Sequence, residues 1–437
     1  MRRRDLIGLL ACAGAGASGA ASPADNGFKA QRVVIVGGAW AGLSAARELR
    51  QQAPGLDVLV IDRDPVMRSL PLSNPWLVGR TPERMPRLDR AALARQLGYR
   101  FVAADVLRID WPQRQVHTGQ GAFDYDWLLV ATGLDYDYSA WFGDDQKAAL
   151  AAQALYPAGY VAHELDVLKQ RLQAFTGGNL VINVPAPPSR CPPAPYERAM
   201  LLAWWLKTRH MKGKVTVLDA GGGLPRFTRL FAERYPGLIE FVPYAAIRAV
   251  DPFQRRITTD DGVLSFDHAM LLPPMRAGAP LEQAGLLGVD TQGKSGPWAA
   301  VDPLRLRSPV DDRVFLAGDL LGAVSPLFGH YPKTAHLATR LGLAAARQIA
   351  ARSRSVRAEP PVALPESVCH VWLDADPPEQ LRMETTYRLR GDSVIAQTVS
   401  QHDNPQPRDE DLQWGLGLYQ GALGAEVNQQ NGKVDKP

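Results

Sequence analysis

Arg32-Val33-Val34-Ile35-Val36-Gly37-Gly38-Ala39-Trp40-Ala41-Gly42 is the stretch on which the fold turns. Five strand-forming residues lead into a glycine-rich turn. Leu43 to Gln52 then carries apolar residues at helical spacing, and a second apolar run, Val58-Leu59-Val60-Ile61, closes on Asp62. Strand, turn, helix and strand in this order form a βαβ unit. The glycines permit a tight turn and close packing of helix on strand, the first helical N–H groups face a pyrophosphate, and an acid about twenty residues on takes a ribose hydroxyl pair. Asp62 is that acid. Ala39 stands at the second fingerprint position, where the backbone approaches the pyrophosphate most closely, so a methyl group has to be accommodated there. The expected dinucleotide cradle is Gly37, Gly38, Ala39, Trp40, Ala41, Gly42 and Asp62, with Trp40 packing near the cofactor rather than reacting.

Two later strands end in small residues in the same way. Trp127-Leu128-Leu129-Val130 closes on Ala131-Thr132-Gly133, and Val314-Phe315-Leu316-Ala317 closes on Gly318-Asp319. With the first loop they resemble the FAD-binding signatures of the two-dinucleotide-domain flavoproteins. That resemblance implies FAD rather than NAD at the first site, with Ala131, Thr132, Gly133 and Gly318 against it and Asp319 on the flavin ribitol.

The chain has 437 residues, 46% hydrophobic and 22% charged, enough for two or three domains with cores of their own. Its net charge of +4 comes without any dense Lys/Arg run, which argues against nucleic acid and against a polybasic membrane surface. The 8 histidines and 3 cysteines are scattered, so no metal or haem ligand set is expected and a haem has to come from a partner. No stretch reaches the roughly eighteen unbroken apolar residues of a membrane span.

Met1-Arg2-Arg3-Arg4-Asp5-Leu6-Ile7 and the Ala/Gly-rich run to Ala21 have the form of a twin-arginine signal peptide, which predicts export to a bacterial periplasm after folding. Leu10-Ala11-Cys12 leaves lipidation at Cys12 open. Further on, Leu88 to Leu97 reads as a helix, and Arg100 to Ile109 with Gln115 to Thr118 reads as a β-meander.

After the strand Leu180 to Val184, a second dinucleotide domain should show its own glycine loop. The chain instead reads Pro185-Ala186-Pro187-Pro188-Ser189-Arg190-Cys191-Pro192-Pro193-Ala194-Pro195-Tyr196-Glu197-Arg198-Ala199. Proline has no N–H to offer a phosphate and cannot adopt positive φ, so the anion cradle of a nicotinamide cofactor is gone. A helix from Tyr196 to His210 and a strand from Lys214 to Asp219 keep the order of that domain.

This proline segment resembles the redox-cysteine segment of the flavoprotein subunit of flavocytochrome c sulfide dehydrogenase. The likeness extends through Leu72-Ser73-Asn74, Leu272-Pro273-Pro274-Met275-Arg276-Ala277-Gly278, Gly318-Asp319 and Pro332-Lys333-Thr334. It implies a periplasmic FAD subunit that oxidises sulfide or a related sulfur compound and passes electrons to a c-type cytochrome, with Asn74 near the cofactor. Two features depart from the family. Leu70 stands where the family ties FAD to a cysteine, so FAD is expected to be non-covalent, and Leu320 to Tyr331 holds no second redox cysteine.

Cys191 is the first catalytic candidate. A proline-stiffened loop, Arg190 beside it and a helix N-terminus just after it all favour thiolate. Cys369 reads as a strand core residue, although a Cys191–Cys369 bridge stays open. Lys333 lies after the Gly-Asp motif, where a positive charge stabilises reduced anionic flavin. His330 and His336, its neighbours, are lesser acid/base candidates.

The fold class is therefore α/β: two Rossmann-like dinucleotide-binding domains of the glutathione-reductase type plus a small α+β C-terminal interface domain. The expected layout is a signal peptide at 1–27, a discontinuous FAD domain at 28–145 and 273–352, an NAD-like domain at 146–272, an interface domain at 353–423 and a tail at 424–437. An FAD dehydrogenase of an organic donor and a non-catalytic electron-relay subunit are the rival functions.

Overall fold

The computed structural model describes residues 30–424 apart from 69, 82–86, 291, 356, 358 and 359. The signal segment, Cys12 and the tail beyond Gly424 lie outside the described residues. The described residues from Gln31 to Gly424 form one compact unit.

The chain begins as the sequence reads: β1 (Arg32–Val36), α1 (Trp40–Gln52) and β2 (Asp57–Asp62). It continues through α2 (Ser73–Leu77), α3 (Arg90–Leu97), β3 (Arg100–Ala103) and β4 (Trp127–Val130). Next come β5 (Gly178–Val184), α4 (Ala194–Thr208), β6 (Gly213–Asp219), β7 (Ile239–Val242) and β8 (His268–Met270). The remainder supplies β9 (Val314–Leu316), α5 (Ala335–Arg354), the strands β10 (Glu366–Ala375), β11 (Pro378–Leu389) and β12 (Ile395–Asn404), and α6 (Glu410–Leu418).

Two parallel sheets carry the architecture. The first runs β9-β4-β1-β2-β3 and the second β7-β6-β5-β8, every pairing within them parallel. Central strands buried on both faces must be apolar throughout, and Val33 to Val36 and Leu128 to Val130 are at most 2% exposed. A third sheet, β10-β11-β12, is antiparallel. Buried and exposed residues alternate from Thr385 to Arg388 of β11, the period-2 signature visible in the sequence.

One sequence reading is corrected here. Arg100 to Ala103 is not part of the meander, which consists of Val106–Asp110, Gln115–Thr118 and Gly121–Asp124; β3 instead pairs with β2 at the edge of the first sheet. A short apolar run bounded by turns fits either place, and only the crossover helix α3 decides it.

Candidate functional site

The C-terminal ends of β1, β4 and β9 bring the three small-residue loops together. Gly37 adopts φ +106°, and a Cβ there would lie 2.3 Å from the Ala131 carbonyl oxygen, so the first loop crosses the second at backbone contact. A Cβ on Gly42 would meet the Gly37 carbonyl at 1.8 Å, which is why the helix starts so tightly against the turn. Ala39 has φ −106°, an ordinary conformation, so its methyl is carried without strain. No side chain caps α1, and the first-turn N–H groups are available to an anion. Nearby, the Thr132 hydroxyl is buried without a protein partner. A diphosphate-bridged dinucleotide fits this cradle: an open helix terminus, glycines where backbone must pass backbone, and an orphan hydroxyl beside it.

Asp62 closes the other wall. Its Oδ2 accepts from the Gly38 N–H at 2.6 Å and its Oδ1 from the Asp64 N–H at 2.9 Å. Arg90 holds this corner together, a role the sequence did not reveal. Its Nε donates to the Gly38 carbonyl and its Nη1 to the Asp64 carbonyl, both at 2.5 Å, while Nη2 lies 3.6 Å from Asp62. A Cβ on Gly38 would stand 2.9 Å from that Nε, so Gly38 is glycine because of Arg90. Trp40 packs edge-to-face on Tyr419 with ring centroids 5.1 Å apart.

At the far end, Asp319 lies 3.5 Å from the Arg190 guanidinium. Burial pushes its carboxyl up while Arg190 and Lys333 pull it down, and the net direction is up. Lys333 is 2% exposed, donates to the Leu321 carbonyl at 2.7 Å and sits 4.5 Å over the Trp298 ring. Burial brings its ammonium down to about 8, against the opposing pull of Asp319. His336 accepts from the Val368 N–H at 2.7 Å, a structural engagement, and His330 packs at a tilt beside Trp298.

The proline loop is fastened to this group. The Cys191 N–H donates to the Lys333 carbonyl at 3.0 Å, the Cys191 carbonyl accepts from the Ala194 N–H at 2.8 Å, and Cys191 itself holds φ +41°, a left-handed conformation that non-glycine residues rarely adopt. The expectation of an acidified thiol is overturned. Burial pushes the Cys191 thiol well up, and Cys369 and Glu197 add to the rise; the Ala194 N–H and Arg190 act in the expected direction but are outweighed. Desolvation outweighs them because the part-buried Cys191 packs against the large apolar core.

Cys191 does not stand alone. Cys369, on β10, comes within electrostatic reach of it, and both thiols are free. Burial and then Glu197 push Cys369 up to about 12. Glu197, at the start of α4, lies within electrostatic reach of both thiols, and burial raises its carboxyl to about 7. In the sequence Glu197 is one acid in a helix start, and nothing in its spacing sets it apart.

Asn74 also departs from expectation. Its amide donates to Glu197 at 2.5 Å and to the Ala194 carbonyl at 2.9 Å, and its Oδ1 accepts from Arg198 at 2.8 Å. These bonds commit its amide to the Glu197 carboxyl and to Arg198. Among the described residues no group of three or more His, Cys, Asp or Glu side chains can hold a metal, and no helix is long and apolar enough to cross a membrane.

Comparison with known proteins agrees with this geometry. The family described as the central part of the sulfide dehydrogenase (flavocytochrome c) flavoprotein chain matches residues 165–273, and the pyridine nucleotide-disulphide oxidoreductase family matches residues 31–149. A sulfide-quinone reductase of Aquifex aeolicus is 24% identical over 238 residues, 51% of this chain and 53% of that protein, so the match spans about half the length of the curated relative. The crystal structure of the sulfide:quinone oxidoreductase from Aquifex aeolicus superposes with a TM-score of 0.66 at 19% identity, covering 85% of this chain and 87% of that one. An NAD-dependent persulfide reductase from A. fulgidus gives 0.57 at 15% identity, covering 90% and 77%. At these identities the solved structures speak to the fold.

Proposed function

We propose, from the premise that this chain is an FAD-dependent oxidoreductase of the pyridine nucleotide-disulfide type related to the flavoprotein chain of flavocytochrome c sulfide dehydrogenase, that it oxidises sulfide or a related sulfur compound in the periplasm and delivers electrons to a c-type cytochrome. The observation that carries this reading is that Cys191 and Cys369, both part-buried, lie within electrostatic reach of one another and of the buried Glu197 carboxyl. Two thiols beside a carboxyl that titrates near neutrality suit a sulfur nucleophile better than an organic donor.

Forming a persulfide from a thiol and hydrogen sulfide releases two protons and two electrons. Bound FAD would supply the acceptor for the electron pair and for one of the two protons. Glu197, poised at about 7, takes the other proton from the incoming sulfur, and one of the two cysteines retains the sulfur atom. Arg190 and Lys333 hold positive charge beside Asp319, at the end of the site where negative charge develops. FAD is held without a covalent bond, because Leu70 offers no sulfur, and the twin-arginine segment exports the folded protein.

Anaerobic sulfide titration of the purified protein tests the donor: the oxidised flavin bands should bleach at modest sulfide and recover on adding oxidised cytochrome c. Bleaching by an organic donor with no response to sulfide would sink the reading. Recovery with a quinone and none with cytochrome would replace only the acceptor.

A further inference from the structure

A buried arginine, an amide and a carboxylate form a one-way chain beside the two thiols. Arg198 is 1% exposed and donates through Nε to the Asn74 Oδ1 at 2.8 Å. Its other contacts fix it rigidly: Nη1 donates to the Ala158 carbonyl, and the guanidinium lies 4.1 Å over the Tyr160 ring. Guanidinium has donors only, so the amide oxygen must face Arg198. The Asn74 NH2 is then committed to the opposite side, where the Ala194 carbonyl and Glu197 Oε2 both accept, the latter at 2.5 Å. A flipped amide would set NH2 against guanidinium and oxygen against carboxylate. The second Glu197 oxygen accepts from the Trp372 N–H at 2.8 Å, and that hydrogen bond comes from the sheet that carries Cys369.

We infer that Arg198 and Asn74 are positioning residues for Glu197: Arg198 fixes the orientation of the Asn74 amide so that Asn74 always presents a donor to the carboxylate, holding Glu197 available as a base beside the thiols. This rests on the role given to Glu197 above. The hydrogen bond favours the charged carboxylate and so opposes burial, which alone would leave Glu197 protonated and idle at neutral pH. Around Glu197, Asp411 from α6 disfavours its charge and Arg198 from its own helix favours it, while Cys369 from β10, Cys191 and Tyr160 are themselves held protonated by that charge. Asn74 and the Trp372 N–H are the donors that resist this crowd of anionic or neutral neighbours.

Infrared difference spectroscopy of the FAD-loaded protein against pH tests the inference without using turnover. The carboxyl band of protonated Glu197 is assigned by its loss in Glu197→Gln. In Asn74→Leu the midpoint at which that band disappears should move up by about one pH unit. Asn74→Asp, which keeps the shape and the Arg198 contact but turns an acceptor toward Glu197, should move it up further and covers the case in which the leucine variant does not fold. Midpoints unchanged in folded variants that retain FAD would overturn the positioning role. A shifted midpoint in a protein whose sulfide reduction is indifferent to Glu197→Gln would leave the relay standing and remove Glu197 from the reaction.

Discussion

The Tyr196 hydroxyl donates to the Asp219 carboxylate in the crevice where the acid ending the second strand of a dinucleotide fold would hold a ribose. Tyr196 is 4% exposed and packs on Phe227 and Phe231, so the second nucleotide site is plugged as well as stripped of its glycine loop. NADH and NADPH should therefore fail to reduce the flavin at useful rates. Tyr196→Phe should not restore them, because Pro185, Pro187 and Pro188 still deny the phosphate its N–H donors. Rapid stoichiometric bleaching by either nucleotide in a stopped-flow trace would contradict both features at once.

Serine in place of Cys191 should preserve folding and FAD content while slowing sulfide-driven flavin reduction about a hundredfold or more, since the residue that holds the sulfur is lost. Cys369→Ser should do the same if the pair works as a unit. A Cys369 variant at the wild-type rate would reduce the machinery to a single thiol. Absorbance at the flavin band under anaerobic mixing, with FAD content read separately, distinguishes these outcomes.

Glu197 is raised to about 7, so below that pH it is protonated and cannot accept a proton. Sulfide-driven reduction should rise with pH through that region and then level off. Sulfide's own ionisation affects wild type and variant alike, so the informative quantity is the ratio of wild type to Glu197→Gln. A ratio constant across pH 5.5 to 9 would deny the base role.

Acid should release intact FAD into the supernatant after the protein precipitates, because Leu70 carries no sulfur. Release from the native protein should be about tenfold or more faster in Arg90→Met, which breaks three contacts at the adenosine wall. The fluorescence of freed FAD reads both. Flavin that stays with the pellet would refute the first expectation, and an unchanged release rate the second.

His268 gives a stability signature independent of the chemistry. It is 7% exposed, its Nε2 has no protein partner, and burial with Arg171 and Arg255 nearby lowers its pKa from 6.5 to about 4. Between those values the unfolded chain binds the proton that the folded one refuses, so stability rises with pH there and is lost on acidification. The full window corresponds to about 3 kcal/mol. Urea midpoints at pH 6.5 and 4.5 should differ less in His268→Phe than in wild type; an equal difference would exclude this histidine as the source.

The parallel sheets were legible because their strands are apolar on both faces and end in small residues. The cradle was legible because Gly37 and Gly42 are required by backbone crossings that any sequence must respect. Glu197, Arg90 and the approach of Cys369 to Cys191 were not. Each acquires its meaning from a partner far along the chain: Glu197 from Asn74 and Trp372, Arg90 from Gly38 and Asp64, Cys191 from a strand in the C-terminal sheet. The thiol acidity was misjudged for a related reason. Arg190 and the helix start are visible in sequence, whereas the apolar enclosure that outweighs them is assembled from both halves of the fold.

The edge of Tyr419 against Trp40 has a consequence for biosynthesis. The first turn of α1, against which a pyrophosphate would rest, is backed by a residue translated near the close of the described chain, and β9 joins the first sheet only after the whole second sheet has been made. A nascent polypeptide emerging from the ribosome therefore holds an unfinished cradle until β9 and Tyr419 have been made. Cofactor capture should wait for these elements, and a transcript cut short before Glu410 should yield a colourless protein.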